Sequence, residues 1–328
     1  MRTARIKDVN GAFYHCVSRV NHREFLLDDV NKEHFRRLMR KVEGFCDVSV
    51  LTYALMDNHF HILVEIPAYE EGVSDEELFR RMGFLYNELT IMELEAEIAK
   101  WRRLGRDDMA ERIKERYIVR MHDLSEFMKT LKQRFTQWYN GMRDTCGTLW
   151  QERFKSVLVE NSEHALTTMA AYIDLNPVRA GLVRDPKEYR YCGYAEAVAG
   201  GRGARKGLIS LARAFGEIGS WRKVSSIYRQ HLYGSGERKG ISAEEVARVI
   251  KENGELSLEQ ILRCRVKYFS DGIVLGGKEF VESVFNSNRD KFEIKRKTGA
   301  CTLKYGEWEG LCAMRDPKKE PIVPPSPD

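Results

Sequence analysis

The sequence lacks the features that mark disulfide-rich, cysteine-zinc and membrane proteins. Its seven cysteines are scattered and odd in number, and no two of them form a CxxC pair. This argues against a disulfide framework and a cysteine zinc site, and it fits a reducing compartment. No stretch approaches the roughly 18 consecutive apolar residues of a membrane helix, and residues 1–11 have no apolar segment behind their basic residues. We therefore expect a soluble, cytoplasmic protein without a secretory signal or a membrane partner.

Size and charge permit several functions. With 328 residues, the chain is long enough for one catalytic domain and a second module. Hydrophobic residues make up 43% and charged residues 31%, which is enough for a core and a polar surface. The formal net charge of +5 permits a polyanionic partner but does not require one.

The order of the periodic segments indicates an α+β fold. Segments rich in β-formers alternate with segments whose apolar residues recur at helical spacing. Asn176 precedes a proline, which disfavours helical geometry before it and should end the last helix. Such an order predicts an antiparallel sheet with helices on one face. The predicted strands cover 13–20, 48–55, 60–66 and 154–159, and the predicted helices cover 28–45, 124–142 and 163–175.

The domain boundaries follow from changes in composition. We predict a catalytic domain over residues 10–196, with a charged helical insertion at about 70–120. Gly-rich residues 197–205 are typical of a linker. A small, mainly helical C-terminal module over 206–315 and a disordered, proline-rich tail over 316–328 complete the chain.

Two parts of this organisation leave their function open. The insertion is either an ordinary solvated helical segment or an arm that grips DNA. In the C-terminal module, the capping-box spacing of Ser242 with Glu245, and of Ser257 with Gln260, predicts two short helices around Asn253. They are either a DNA-binding helix-turn-helix or a plain helical hairpin.

Two side-chain pairs could form a site. His59 and His61 alternate along a predicted strand, so both imidazoles leave the same sheet face, where they can bind one divalent cation. Tyr172 and Asn176 lie four residues apart on a predicted helix and share a face of it. An amide oxygen is a hard ligand suited to Mg²⁺ or Mn²⁺. Each pair alone has a plainer reading, as packed or surface residues.

Three strings of the sequence together carry a family resemblance. MDNHFHILVE resembles the His-hydrophobic-His motif of the IS200/IS605-like single-tyrosine HUH transposases. GTLWQERFKSVLVE and YIDLNPVRAGLV resemble the REP-associated tyrosine transposase branch of that family. The similarity covers about residues 13–194, interrupted by the charged segment. The three motifs occur in the family's order.

The resemblance assigns roles to four residues. It implies that His59, His61 and Asn176 are metal ligands and that Tyr172 is the nucleophile. Asn176 stands where the wider family has Gln and the REP-associated branch has Asn. The fold that it implies is a ferredoxin-like (RRM-like) sheet with the histidines on a central strand and the tyrosine on a nearby helix.

The implied activity is strand cleavage and transfer on single-stranded DNA near a hairpin. A tyrosine hydroxyl, with a pKa near 10, is a weak nucleophile that needs activation. Attack by Tyr172 on a phosphate would give a 5′-phosphotyrosine link and a free 3′-OH, and a later 3′-OH could attack that link. No general base is assigned: Asp174 lies on a different helix face and is expected to be solvated. His15 has no spacing that gives it a role.

Four further residues are candidates for contact with DNA. Arg153 and Lys155 share one face at the start of a predicted strand and suit phosphate contact, as does Arg179 beyond the tyrosine helix. Trp150 could stack on an unpaired base or pack in the core.

Two alternative functions remain open. One is a non-catalytic RRM-like binder of single-stranded nucleic acid, although the chain lacks the aromatic sheet motif of RRM proteins. The other is a water-using phosphodiesterase, for which Tyr172 would be dispensable.

Overall fold

The protein is an α+β molecule built on one seven-stranded sheet. The computed structural model describes residues 2–3, 6, 11–68, 72–213, 219–233, 268–303, 308, 310–315 and 317–320. The strands are β1 (Arg2–Thr3), β2 (Ala12–Arg19), β3 (Ser49–Leu55), β4 (His59–Ile66), β5 (Lys155–Val159), β6 (Val274–Gly277), β7 (Cys301–Thr302), β8 (Leu311–Met314) and β9 (Lys319–Glu320). The helices are α1 (Asp29–Cys46), α2 (Asp75–Met82), α3 (Glu88–Arg103), α4 (Asp107–Ile118), α5 (Leu124–Arg143), α6 (Glu163–Asp174), α7 (Asn176–Arg179), α8 (Gly193–Val198), α9 (Arg202–Arg213), α10 (Trp221–Tyr233), α11 (Tyr268–Asp271) and α12 (Lys278–Ser287).

The core of the fold is the βαββαβ unit that the sequence predicts. Strands β3, β4, β2 and β5 are neighbours in that order, and all three pairings are antiparallel. Helix α1 precedes β3 and helix α5 precedes β5, as in a ferredoxin-like fold. The predicted α+β, ferredoxin-like class is confirmed, and each predicted strand and helix of this unit is found with bounds shifted by at most two residues.

Helices cover both faces of the sheet, where the sequence predicted one. Phe60 on β4 packs against Phe35 of α1, with ring centroids 4.7 Å apart. The next residue, His61, lies on the opposite face, 5.9 Å from the ring of Tyr172 on α6. Helix α6 buries side chains on nearly all sides, so it lies between the sheet and further chain rather than at the surface. The one-face prediction holds for α1 and α5 only.

The C-terminal region continues the same sheet. Strand β6 pairs in parallel with β5, and β8 and β7 follow by antiparallel pairing. The region 206–315, predicted to be mainly helical, therefore also supplies three strands. These strands have two to four residues, too few for a periodic pattern to predict. The predicted helix-turn-helix around Asn253 lies outside the described residues.

The insertion is helical, as predicted, and docks against α1. Arg81 of α2 forms an ion pair of 2.8 Å with Asp47, the residue that caps α1. Tyr86 packs against Phe45, with ring centroids 5.9 Å apart. The insertion thus extends the layer formed by α1 and α5, and a DNA-gripping role for it stays a prediction.

Residues 197–205 are not a free linker. Helix α8 ends at Val198 and α9 begins at Arg202, so only residues 199–201 of the predicted linker are not helical. Helix α9 packs closely on β3: a Cβ atom at Gly207 would lie 2.3 Å from the carbonyl oxygen of Val50. Gly207, two residues beyond the predicted linker, permits this close approach because it has no side chain.

We expect Gly207→Ala to lower the free energy of unfolding by about 1–3 kcal/mol, because the added methyl group meets backbone atoms that cannot rotate away. Chemical denaturation measures the effect. Gly141→Ala is the matched control: no heavy atom lies within 4 Å of its Cβ position, so it should raise stability by about 0.5–1 kcal/mol. Equal gains in both variants would contradict the packing of α9 on β3.

Two further findings concern the ends of the chain and its helices. Residues 319–320 pair with residues 2–3, so the tail predicted to be disordered from 316 includes a short strand; residues 321–328 lie outside the described residues. Within the described part of the chain, each helix is too short or too polar to cross a bilayer.

Candidate functional site

Three histidines and an arginine share one face of two central strands. His59 and His61 project from β4, and in the antiparallel register Arg19 of β2 stands directly opposite His59. Val17 stands opposite His61, and His15 is two residues further along β2 on the same face. The imidazole centroids of His59 and His61 are 5.1 Å apart.

Burial keeps these imidazoles neutral. His15 is fully buried and His61 is 2% exposed, whereas His59 is half-buried. Burial, followed by positive neighbours that include Arg179 and Arg19, lowers the pKa of His61 well below its usual value. Burial likewise lowers the pKa of His15 and of His59 to about 4. Neutral imidazoles retain the lone pair that metal binding requires.

The hydrogen bonds of His59 and His61 leave the same ring atom open in both. His59 Nδ1 lies 2.7 Å from the side-chain oxygen of Asn58, whose amide nitrogen donates to the carbonyl of Arg23. Because an amide oxygen only accepts, His59 Nδ1 carries the proton. His61 Nδ1 is engaged at 2.8 Å by His15 Nε2. Both rings therefore keep Nε2 for a further partner.

Tyr172 lies over the histidine face. Its ring centroid is 5.9 Å from the centroids of both His15 and His61. The ring is 5% exposed and packs against Phe269 of α11 at 4.9 Å. Arg179 belongs to α7, the helical turn that follows α6, and its guanidinium lies 4.5 Å from the centroid of the Tyr172 ring. Two distant stretches of sequence are thus brought together, as the motif pair predicts.

Asn176 is held at the junction of α6 and α7. Its amide nitrogen donates to the carbonyl of Tyr172 at 3.0 Å, which leaves the amide oxygen turned away from α6. Arg179 donates to that oxygen at 3.4 Å. Asn176 is 7% exposed and lies one turn beyond Tyr172 on the same helical path. The long bond from Arg179 is the contact that the structure gives this oxygen, and its role as a metal ligand stays a prediction.

The donor set of this site fits a hard divalent cation only in part. No three His, Cys, Asp or Glu side chains converge to hold a metal ion within the described residues. Two imidazole Nε2 atoms and one amide oxygen would leave half of an octahedral shell to water or phosphate. The residues present therefore fit an ion that is shared with a phosphate substrate.

A positively charged rim lies at the open side of the site. Arg19 is exposed, and Arg179 and His59 are half-buried, so these side chains border the buried centre. The Nε atom of Arg179 is buried without a hydrogen-bond partner in the described part of the chain. Lys155 stands opposite Val17 and so faces the same side, but its ammonium forms an ion pair of 3.1 Å with Asp271. The rim suits a phosphate backbone.

Trp150 and Arg153 do not join this site. Trp150 is 6% exposed and packs edge-on against Phe60, on the sheet face opposite the histidines. Its indole N–H donates to the Thr136 hydroxyl at 3.0 Å. Of the two roles that the sequence left open for Trp150, the structure shows core packing, and a contact with DNA stays a prediction. Arg153 is exposed beside Lys132, bordering a groove along α5.

Asp174 is buried, contrary to the expectation that solvent surrounds it. Its carboxylate accepts hydrogen bonds from Thr52 at 2.8 Å, from the Tyr228 hydroxyl at 2.6 Å and from the Tyr194 backbone at 3.1 Å. Burial raises the pKa of Asp174 to about 6. These bonds join α6 to β3, α8 and α10, so the residue fixes the helix that bears Tyr172.

Three residues of the site were missed from the sequence. His15 and Arg19 alternate on β2 as the paired histidines do on β4, and this period-2 pattern was a usable signal. The pairing of β2 with β4 was needed to place them. Phe269 offered no signal, because its approach to Tyr172 depends on the path of a distant segment.

The described helices cover the sheet face on which an RRM-like binder would stack unpaired bases. Tyr172 of α6 and Phe269 of α11 lie over the histidine side, and Phe35 of α1 covers the other side. An RRM-like binder needs an open sheet face for base stacking. The described residues thus argue against that alternative.

Comparison with known proteins supports the family resemblance in the N-terminal part. Residues 8–73 match the model of the family described as "Transposase IS200 like", a segment that includes both paired histidines. Among solved structures, the chain is similar to "Structure of the REP associates tyrosine transposase bound to a REP hairpin". That likeness has 16% identity, a TM-score of 0.39 and coverage of 61% of this chain and 87% of that chain. No curated protein matches the chain.

Proposed function

We propose that this protein cleaves and rejoins single-stranded DNA, with Tyr172 as its nucleophile, in the manner of the transposases whose family model matches residues 8–73. The observation that carries the proposal is the approach of the Tyr172 ring to within 5.9 Å of His61, whose Nε2 is free. A tyrosine beside paired neutral imidazoles provides a nucleophile next to two possible metal ligands, which is an arrangement suited to phosphoryl transfer.

The proposed step exchanges one phosphate ester for another. The Tyr172 oxygen attacks the phosphorus atom of a DNA linkage, and the bond from phosphorus to the 3′-oxygen breaks. The tyrosine proton leaves to solvent, and the departing 3′-oxygen takes up a proton to become a hydroxyl. The product is a 5′-phosphotyrosine link, which a later 3′-OH can attack in the reverse sense.

A divalent cation, Mg²⁺ or Mn²⁺, completes the proposed site. His59, His61 and Asn176 would hold it through two Nε2 atoms and one amide oxygen. When bound, such an ion polarises the scissile phosphate and neutralises charge that develops in the transition state. Arg179 contributes a fixed positive charge next to the Tyr172 ring and can orient a phosphate oxygen there.

The proposed substrate is a single strand near a hairpin, which enters at the rim formed by Arg19, His59 and Arg179. These are the exposed and half-buried members of an otherwise buried centre. The guanidinium groups of Arg19 and Arg179 suit contact with the phosphates of such a strand.

The direct test is a search for the covalent adduct. The full chain is incubated with Mg²⁺ or Mn²⁺ and a hairpin-bearing single strand that carries a 3′ label, and the mixture is denatured. We expect labelled protein, because the strand portion downstream of the cut stays linked through its 5′-phosphate. Cleavage without any labelled protein would favour the water-using phosphodiesterase instead.

We expect Arg19→Gln to weaken binding of the hairpin strand about threefold or more at low salt, since it removes one phosphate contact. The slope of log affinity against log salt concentration should fall by about 0.7. Fluorescence anisotropy of a labelled strand measures both quantities. Arg37→Gln is the control, because Arg37 lies on α1, beyond the opposite face of the sheet, and its side chain is 73% exposed. Identical salt slopes in all three proteins would remove Arg19 from the DNA path.

A further inference from the structure

A hydrogen-bonded relay ends on His61. The Phe269 carbonyl of α11 lies 2.8 Å from His15 Nδ1, and His15 Nε2 lies 2.8 Å from His61 Nδ1. The two imidazole planes are within 12° of parallel. All three groups are buried, so water does not compete for these bonds.

The relay has one consistent direction. A carbonyl oxygen only accepts, so His15 Nδ1 carries a proton and donates it to Phe269. A doubly protonated His15 would be a buried cation between two uncharged partners, which is strongly unfavourable. His15 Nε2 is therefore an acceptor, and His61 Nδ1–H donates to it. His61 Nε2 is left without a proton.

We infer that His15 is a positioning residue for the metal centre, because its bond to His61, anchored on the Phe269 carbonyl, fixes the His61 tautomer that presents Nε2 to a cation. The inference rests on the proposed function for the presence of that cation. A partner on the second ring nitrogen of a metal-binding histidine commonly sets its tautomer and orientation. Here the anchor comes from residue 269, far beyond the 8–73 segment that matches the family model.

The C-terminal segment that provides the anchor is itself held at the site. Asp271 of α11 pairs with Lys155 of β5 at 3.1 Å, and the Phe269 ring packs against Tyr172 at 4.9 Å. Helix α11 thus contacts the proposed nucleophile, Tyr172, through the Phe269 ring. It contacts the proposed metal ligand, His61, indirectly through His15. The site therefore includes contacts from a segment that lies outside the family motifs.

The first test measures the tautomer without metal or DNA. The full chain is labelled with ¹⁵N-histidine, metal is removed by chelation, and ring nitrogen shifts are assigned with a His61→Gln variant. We expect His61 in the Nδ1–H form in the wild type and in His15→Gln, because a glutamine side chain can donate to Phe269 and accept from His61. His15→Leu should give a mixture of the two neutral His61 tautomers, because leucine cannot accept the hydrogen bond from His61. An Nε2–H tautomer of His61 in the wild-type protein overturns the inference, and this measurement needs no variant at position 15 to fold.

The second test measures the affinity for Mn²⁺ by electron paramagnetic resonance. His15→Leu should raise the Mn²⁺ dissociation constant by about 10- to 100-fold, and His15→Gln should restore most of the loss. His34→Leu is the control, since His34 stacks on Trp138 of α5, away from the site. Equal dissociation constants in the wild type and a folded His15→Leu overturn the inference. The adduct assay distinguishes this inference from the proposed function. If the proposed function is wrong, no labelled protein forms, whatever the tautomer and Mn²⁺ measurements give.

Discussion

Tyr172→Phe should abolish the covalent protein–DNA adduct and lower strand cleavage by at least about 10³-fold. The substitution removes the hydroxyl that would attack phosphorus and keeps the aromatic ring. That ring packs against Phe269 at 4.9 Å and lies under the Arg179 guanidinium at 4.5 Å. Both contacts survive the change, so folding and DNA affinity should stay close to wild type. Denaturing electrophoresis with labelled DNA measures the adduct, and anisotropy measures the affinity.

Tyr139→Phe provides the matched control for this result. Tyr139 is also a largely buried tyrosine, 8% exposed, but it lies on α5, on the opposite side of the sheet. The Tyr139→Phe protein should form the adduct at the wild-type rate. If Tyr172→Phe still yields the adduct, another residue is the nucleophile. If it cleaves at the wild-type rate without an adduct, water is the nucleophile and the strand-transfer proposal ends.

His61→Ala should reduce cleavage by at least about 100-fold at low metal concentration, equivalent to about 3 kcal/mol of lost transition-state stabilisation. The substitution removes one of two imidazole ligands, and no third histidine or carboxylate joins them in a metal cluster among the described residues. Raising the Mn²⁺ concentration should restore part of the rate, because the remaining ligands and the phosphate still bind weakly. Cleavage rates over a Mn²⁺ titration give the result.

His34→Ala serves as the control, and a chelator gives the cleavage rate in the absence of metal. His34 stacks on Trp138 with centroids 3.6 Å apart, so its loss affects the surface of α1 and not the site. It should leave the Mn²⁺ dependence unchanged. A His61→Ala protein with the wild-type metal dependence, or a wild-type protein that cleaves fully in the chelator, would show that the paired histidines do not hold a catalytic ion.

The sequence predicted the core of the fold because its signals there are long and local. Helix α1 buries Phe35, Leu38, Met39 and Val42 at helical spacing, and Asp28 caps its first turn. The two strands after it, β3 and β4, are rich in β-forming residues and are separated by a polar turn. The three C-terminal strands were missed because each is short, and because β6, which joins them to the rest of the sheet, follows its partner β5 by more than a hundred residues. Such pairings depend on the tertiary path of the chain rather than on local pattern.

The residues of the site were predictable where a local sequence motif contains them. They were not predictable where their position depends on the register of the paired strands. The alternation of His59 and His61, and the four-residue spacing of Tyr172 and Asn176, gave each pair a common face before their approach was known. The face of Trp150 and the contact of His15 with His61 follow from how the strands align, which no local pattern fixes. The burial of Asp174 similarly reflects contacts with one strand, β3, and two helices, α8 and α10, that are distant in sequence.

The continuation of the sheet beyond β5 has a consequence for how two copies of this chain could associate. In an isolated βαββαβ unit, β5 would be an unpaired edge to which another chain could add a strand. Here Leu158 and Glu160 already donate to the carbonyls of Ile273 and Leu275. Intermolecular strand addition at that margin would first require the chain's own β6 to detach.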